Sequence, residues 1–389
     1  MPSVYLDHAA TTPLDDAVLD AMLPYLREHY GNASSVHALG RRARFAVEDA
    51  RERVAALLGA EPGEIVFTSG GTEADNAALR GVLTSPDRRG PGLVTSAVEH
   101  EAVLRPAEAL EVAGHPVTIL TPQPSGAVTA AQVADAITDA TGLVSLMAVN
   151  NELGTRNPIR DIAAVCHAHG VAFHTDAVQA AGLYDLDVNE LGVDLLSLSA
   201  HKVYGPKGAG VLYVRAGTPF APLMLGGSQE RKRRGGTENV AAVVGLAAAF
   251  ERAQASAEAE RTRLRGLQTR LADAIRARFP DVRFNTPLAD EADTAPHILN
   301  VSFSPTEGRV VDGEMLLLGL DLAGVHASSG SACTSGAVEP SHVLRALDVP
   351  RATANATVRL SLGRSTTEAD VDFAADQLAV VVGRMGGAG

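Results

Sequence analysis

A chain of 389 residues, 46% apolar and 20% charged, has the composition of an ordinary globular protein and the length for two folding units. That excludes a disordered, collagen-like or disulfide-stapled chain. Its 46 acidic and 33 basic residues leave a formal charge of −13, which argues against DNA, other nucleic acid or an anionic membrane as the main partner.

Reading from the N-terminus, the first residues show no basic segment followed by an apolar stretch, so no signal peptide is expected. From about residue 64 to 215, short apolar runs at 64–68, 92–96, 117–120, 143–149, 171–174 and 193–198 alternate with helical patterns. Such alternation predicts an α/β fold with a large, mainly parallel sheet and helices on both faces. Ligands of such sheets bind beyond the carboxyl ends of the strands, so the residues after each run are the candidates. From about 239 to 279 an Ala/Arg/Glu-rich stretch predicts one or two long helices. Strands at 298–303 and 358–361 then predict a smaller α+β domain. The boundary is set near 255: residues 13–255 form the large domain, and 1–12 with 256–389 the small one. The longest apolar run, 240–250, is too short for a membrane span, which takes about 20 residues. Two cysteines far apart suit a reducing, cytoplasmic setting.

Several strand ends carry chemistry. Ser69-Gly70-Gly71-Thr72-Glu73 runs into a helix and reads either as a phosphate cradle or as a glycine turn with a threonine cap. Asp176 follows the 171–174 run. It is either a helix N-cap or a carboxylate that keeps a ring nitrogen protonated. Only three basic residues are lysine: Lys202, Lys207 and Lys232. Lys202 follows a buried-looking strand, where an amine can form a Schiff base and an arginine cannot. Lys207 and Lys232 read as surface or structural residues. Glu99-His100 and Asn150-Asn151-Glu152 collect at the same edge in either a structural or a functional role. A lysine, an aspartate, an imidazole and a phosphate loop together are the parts of a pyridoxal phosphate site. Cys333 lies among small residues in 328–336, the setting of a reactive thiol on a pliable loop. Cys166, on a helical pattern, reads as a packing residue, and no metal site is expected with His167 and His169.

Nearly the whole chain resembles the cysteine desulfurases of the class V aminotransferase family, in particular the group that supplies sulfur for iron–sulfur clusters. The resemblance rests on Tyr5-Leu-Asp-His-Ala-Ala-Thr-Thr-Pro13, Gly31-Asn-Ala-Ser-Ser-Val-His37, Phe67-Thr-Ser-Gly-Gly-Thr-Glu73 and Val149-Asn-Asn-Glu152. It continues through His174-Thr-Asp-Ala-Val-Gln179, Ser199-Ala-His-Lys-Val-Tyr-Gly-Pro-Lys207, Gly235-Gly-Thr-Glu-Asn239, Ser329-Gly-Ser-Ala-Cys-Thr-Ser335 and Val358-Arg-Leu-Ser-Leu-Gly-Arg364. The chain departs from the usual pattern at Ser228, where a third glycine is common, at Lys232 within an arginine run, and at Gly235.

The resemblance implies the fold type I architecture of pyridoxal phosphate enzymes and a homodimer. It implies that Lys202 holds the cofactor as a Schiff base, Asp176 pairs with its ring nitrogen, and His100 stacks on the ring and moves protons. Asn151 and Gln179 would bond the ring hydroxyl oxygen. Gly71, Thr72, Ser199 and His201 would hold the phosphate, with Thr237 supplied by the partner subunit. Arg359, with Asn151, would bind the substrate carboxylate, and Cys333 would take the sulfur. L-cysteine would yield L-alanine and a Cys333 persulfide for an acceptor such as an iron–sulfur scaffold or a tRNA-thiolation protein. The rival expectations are a selenocysteine lyase and a non-catalytic sulfur carrier on the same fold.

Overall fold

The computed structural model describes residues 3–289, 294–305, 311–330 and 340–385. Cys333 lies outside the described residues. The chain starts on a two-residue strand, β1 (Val4–Tyr5), and then builds a seven-stranded sheet. Its strands are β2 (Ile65–Thr68), β3 (Gly92–Ser96), β4 (Val117–Leu120), β5 (Thr141–Ser145), β6 (Ala172–Asp176), β7 (Leu195–Ser199) and β8 (Gly210–Val214). Their spatial order is β2-β8-β7-β6-β5-β3-β4. All pairings are parallel except those of β8, which runs antiparallel to both β2 and β7.

Alternate residues of each strand feed opposite faces, as a period of two requires. Ile65, Phe67, Phe173, Leu196 and Tyr213 enter the core on one side, with the helices Asp16–Arg27, Ala38–Leu58 and Val240–Ala255. Val66, Leu143, Leu195 and Leu212 enter the core on the other, beneath the helices Gly71–Leu83 and Glu101–Val112. Burial on both faces explains why these strands read as continuous apolar runs. Each fully buried large side chain, Phe173 among them, contributes roughly 1.5–3 kcal/mol.

A separate core gathers Val4 and Leu6 with Leu264 to Ile275 of the helix Ala257–Arg278, and with a second sheet. That sheet is antiparallel and orders β12 (Thr357–Ser361), β10 (Ile298–Ser302) and β9 (Arg283–Phe284). A further strand, β11 (Val325–His326), pairs in parallel with β1, and bridges from Asp7 to Ser361 and from Ser328 to Arg359 join the pieces.

Three sequence expectations change, and one left open between two alternatives is resolved. The 143–149 run is a strand only to Ser145, because β3 ends at Ser96. Its continuation still bonds to β6 through Leu146 N–H and Ala148 N–H. β6 reaches Asp176 and β7 reaches Ser199, so both residues close strands; Asp176 is not a helix cap. β8 was not anticipated from the sequence. The 239–279 stretch divides at Ser256 into two helices.

Candidate active site

Residues at the carboxyl ends of β2, β6 and β7 converge. After β2 the chain turns at Gly70 (φ 152°) into the helix Gly71–Leu83, whose first N–H groups have no intrahelical acceptor. A Cβ on Gly71 would come within 2.9 Å of Val178 Cγ2, so close packing requires glycine there. Glu73 accepts from Ser69 N–H at 2.8 Å and pairs with Arg234 at 2.8 Å, which fixes the turn. The cleft above it measures about 440 Å³ and is lined by Thr11, Gly71, Thr72, Ser199, His201 and Lys207 among others. Ser199 Oγ is buried there without a hydrogen-bond partner. Burial, reinforced by Lys202 and Lys207, pushes His201 down to about 4, so its ring is neutral. Lys207 therefore lines the cleft rather than standing apart from it.

Lys202 follows β7 in a single helical turn and donates from Nζ to the carbonyls of Ala9 (2.5 Å) and Ala10 (2.8 Å). Burial first, and then the positive charge of Arg359, lower its ammonium to about 8. Asp176 is buried and accepts from Val178 N–H at 2.9 Å. Burial raises its pKa, while His100, that hydrogen bond and Lys202 pull it back. His100 caps the helix Glu101–Val112: its Nδ1 accepts from Ala102 N–H at 3.1 Å, which leaves the ring proton on Nε2. Desolvation lowers its pKa, and Asp176 opposes that.

Behind Asp176 lies a polar layer whose roles the sequence did not reveal. His174 meets Ser145 Oγ at 2.8 Å through Nδ1 and Ser197 Oγ at 2.9 Å through Nε2. Asp75 Oδ1 stands 3.7 Å from the same Nε2 and has no hydrogen-bond partner. Glu99 accepts from Met147 N–H, while its Oε2 is buried and unpaired. Burial, with Asp176 adding repulsion, raises Asp75 and Glu99 well above the usual carboxylate range. The shift favours the neutral form of both, which lessens their repulsion of Asp176.

Arg359, on β12, is buried. It donates to Asn151 O at 2.8 Å, Asp7 Oδ1 at 2.8 Å and Ser328 Oγ at 2.9 Å. Asp7 is thus a partner of the guanidinium, a role that its motif had not revealed; an acid directly after the β1 run was the available signal. For Asn151 the described contact is this backbone carbonyl. Gln179 Nε2 donates to Ala9 O at 2.9 Å and its Oε1 faces His297 Nε2 at 3.2 Å, so its amide is already engaged. Thr237 is exposed and does not line this cleft. Cys166 is fully buried in the large core, and burial pushes its thiol up to about 12.

Cation donors, an anion cradle and a buried carboxylate at one sheet edge are the features of a group-transfer enzyme of the α/β class. Residues 4–373 match the aminotransferase class-V family, and the chain belongs to it. Within that family it is similar to the cysteine desulfurase IscS of Dictyoglomus turgidum, with 45% identity over 382 residues, 98% of this chain and 95% of that one. Among solved structures, a NifS-like protein superposes with a TM-score of 0.89 at 35% identity, covering 98% of this chain and all of the other (100%). A structure described as SspA in complex with cysteine superposes with a TM-score of 0.80 at 38% identity, over 92% of this chain and 98% of that one.

Proposed function

We propose that the protein is a pyridoxal phosphate-dependent cysteine desulfurase that converts L-cysteine to L-alanine and leaves the sulfur as a persulfide on Cys333. The observation that carries this reading is that Lys202, Asp176, His100 and Arg359, from four separate elements, act electrostatically on one another beside a glycine-turn anion cradle.

The residues present fit the cofactor. The unpaired Ser199 Oγ, the free N–H groups of Gly71 and Thr72, and His201 suit a phosphate. The buried carboxylate of Asp176 suits a protonated ring nitrogen, His100 a stacking partner and Asn151 the ring hydroxyl; Gln179 would bond that hydroxyl only by sharing an amide already engaged with Ala9 and His297. Thr237 would join the phosphate from a second subunit of a homodimer, a reading that the exposed Tyr30, Val36, Phe45 and Leu225 support. When bound through Lys202, pyridoxal phosphate supplies an electron sink for the charge left at the substrate α-carbon.

Arg359 holds the substrate carboxylate, steadied by Asp7 and by the Asn151 carbonyl. Lys202, with an ammonium near 8, can take the α-proton as amine and return a proton to the methyl carbon of alanine. The His100 imidazole, with Nε2–H available, can exchange protons with the substrate thiol. The Cys333 thiolate attacks the substrate sulfur: the S–S bond forms, the C–S bond breaks, and its electrons take up the proton that completes alanine. The segment bearing Cys333 leaves the described chain after Gly330 and re-enters at Pro340. The flanking residues Ser328 and Ser341 bond to Arg359 and Glu152. Both ends thus stand beside the substrate carboxylate site, which supports the role given to Cys333.

The same reading divides the chain into 13–255 and 1–12 with 256–389, as the two separate cores support. It sends the sulfur to an acceptor such as an iron–sulfur scaffold or a thiolation protein. A working thiolate needs a reducing compartment, which supports the cytoplasm; no described helix is long and apolar enough to cross a membrane. The test is to give the cofactor-loaded protein L-cysteine and measure alanine and protein-bound persulfide. Alanine and persulfide in equal amounts are expected, and absence of alanine overturns the reading. A strong preference for L-selenocysteine over L-cysteine would favour a lyase instead.

A further inference from the structure

The Tyr5 to Pro13 motif places His8 where the proposed chemistry does not use it. The ring is 4% exposed, stacked edge-on against Tyr5 with centroids 4.9 Å apart, and so tightly seated that a Cβ on Gly363 would fall 2.2 Å from Nδ1. Neither ring nitrogen has a hydrogen-bond partner among the described residues, and the Tyr5 carbonyl acts on the ring only beyond hydrogen-bond geometry. His297 shows the same deficit. Gln179 donates its Nε2–H to Ala9, so its Oε1 must accept from His297 Nε2–H. That fixes the tautomer and leaves His297 Nδ1 as a bare acceptor, buried and unpaired. A buried polar atom without a partner costs about 1–3 kcal/mol, and three around one crevice are hard to explain in a dry protein.

Both rings line one cavity of about 50 Å³ behind Lys202. One water needs roughly 10–15 Å³ of such space and two to four polar partners, so the cavity holds more than one. Its lining runs from Lys202, His8 and His297 past Tyr204 to Glu260 and the exposed Ser256, at the junction of the helices Val240–Ala255 and Ala257–Arg278. Val178, Leu183, Leu264 and Leu362 fill much of the wall between these polar groups, and the crevice reaches the surface at Ser256.

We propose that this crevice is a built water site, anchored by His8 and His297, through which Lys202 exchanges protons with solvent. The proton moves from the Lys202 ammonium to a water, and on through water to the Glu260 end, leaving the neutral amine; the reverse transfer recharges it. The imidazoles hold the water without becoming proton sinks, since burial keeps both neutral, His8 down to about 4 and His297 to about 3. The proposal deepens the desulfurase reading, because only an amine that is released and recharged in each turnover needs such a route.

The test has two arms. A high-resolution crystal structure of the cofactor-loaded protein is expected to show ordered waters bonded to His8 and to His297 Nδ1; a dry crevice overturns the proposal whatever the activity. The second arm uses L-cysteine deuterated at the α-carbon, turned over in ordinary water, with the deuterium retained in alanine measured per alanine formed. His8→Phe, which fills the crevice, is expected to retain several-fold more deuterium than the parent. His8→Gln, which still binds water, is expected to match the parent. Equal retention in all three overturns the proton route. If the parent forms no alanine, the desulfurase reading fails and the proton route with it, while the crystallographic arm still decides whether the crevice is a water site.

Discussion

The loop that precedes Thr237 is anchored at Glu230 by a fully buried ion pair, beside the more exposed Arg231–Glu48 and Arg234–Glu73 pairs, and cutting the buried pair should loosen the loop. Glu230 and Arg51 have side chains only 3% exposed, and two parallel hydrogen bonds of 2.8 Å join them. Glu230 also accepts from Phe67 N–H, and Arg51 donates to Ile65 O. Breaking such a pair from one side costs about 3–5 kcal/mol, since the remaining charge stays buried. Against this stands backbone strain. Glu230, Arg231 and Lys232 all have positive φ (43°, 54° and 66°), and a left-handed residue other than glycine costs roughly 1–2 kcal/mol, so the three together store roughly 3–6 kcal/mol. The two quantities nearly balance. Glu230→Gln should therefore let the loop detach, and relief of strain should offset part of the loss in global stability. The detached loop exposes Arg231, Lys232, Arg233 and Arg234 to trypsin. The expected result is much faster cleavage within 231–234, together with a loss of up to about 3 kcal/mol in urea unfolding. An unchanged cleavage rate would refute the reasoning, because the clasp would then not be what holds the strained backbone.

Arg359→Lys replaces a forked donor that serves Asp7 and, on the proposed reading, the substrate, and should raise the KM for L-cysteine roughly 10- to 100-fold, about 1.4–2.7 kcal/mol; an unchanged KM would remove the residue from carboxylate binding. Burial raises the Asp75 pKa above its ordinary value, so its stabilising contribution is complete below the ordinary carboxylate pKa and declines as pH rises through the raised folded value. Asp75→Asn should remove that decline, worth up to about 1.4 kcal/mol per pH unit, and parallel urea-derived stabilities of the two proteins across pH would contradict the assignment. Ser199→Ala should weaken cofactor binding about tenfold or more, read by fluorescence titration of the apoprotein, because the proposed phosphate would lose a buried hydroxyl donor. Cys333→Ala should keep the visible absorbance of the Lys202-bound cofactor and form no persulfide; full sulfur release by that variant would reassign the acceptor.

The large sheet was legible because its strands are buried on both faces, so runs such as 92–96 and 193–198 stand out as uninterrupted apolar segments. β8 escaped notice because Gly208 and Gly210 break its leading edge and Lys207 precedes it, which together resemble a loop. Lys202, Asp176 and the glycine turn could be found because strand ends in a parallel sheet are where ligands gather. The pairing of Asp7 with Arg359 could not be found in that way. It joins residues 352 positions apart, and nothing in either local pattern points to the other. Nor could the layer of Asp75, His174 and Ser197, since each residue reads alone as an ordinary strand or helix polar group until the helix Gly71–Leu83 is laid across β6 and β7.

The bond between Asp7 and Arg359 also has a consequence for biogenesis. The large sheet and its covering helix Val240–Ala255 are complete within the first 255 residues, so the sheet can condense while the rest of the chain is still being synthesised. The first strand cannot follow it: β1 waits for β11, and Asp7 for β12, contacts of very high sequence separation. Through that interval Lys202 exists beside a formed cradle but without the guanidinium proposed to hold the substrate carboxylate. On the proposed desulfurase reading, cofactor capture can therefore precede substrate competence during synthesis.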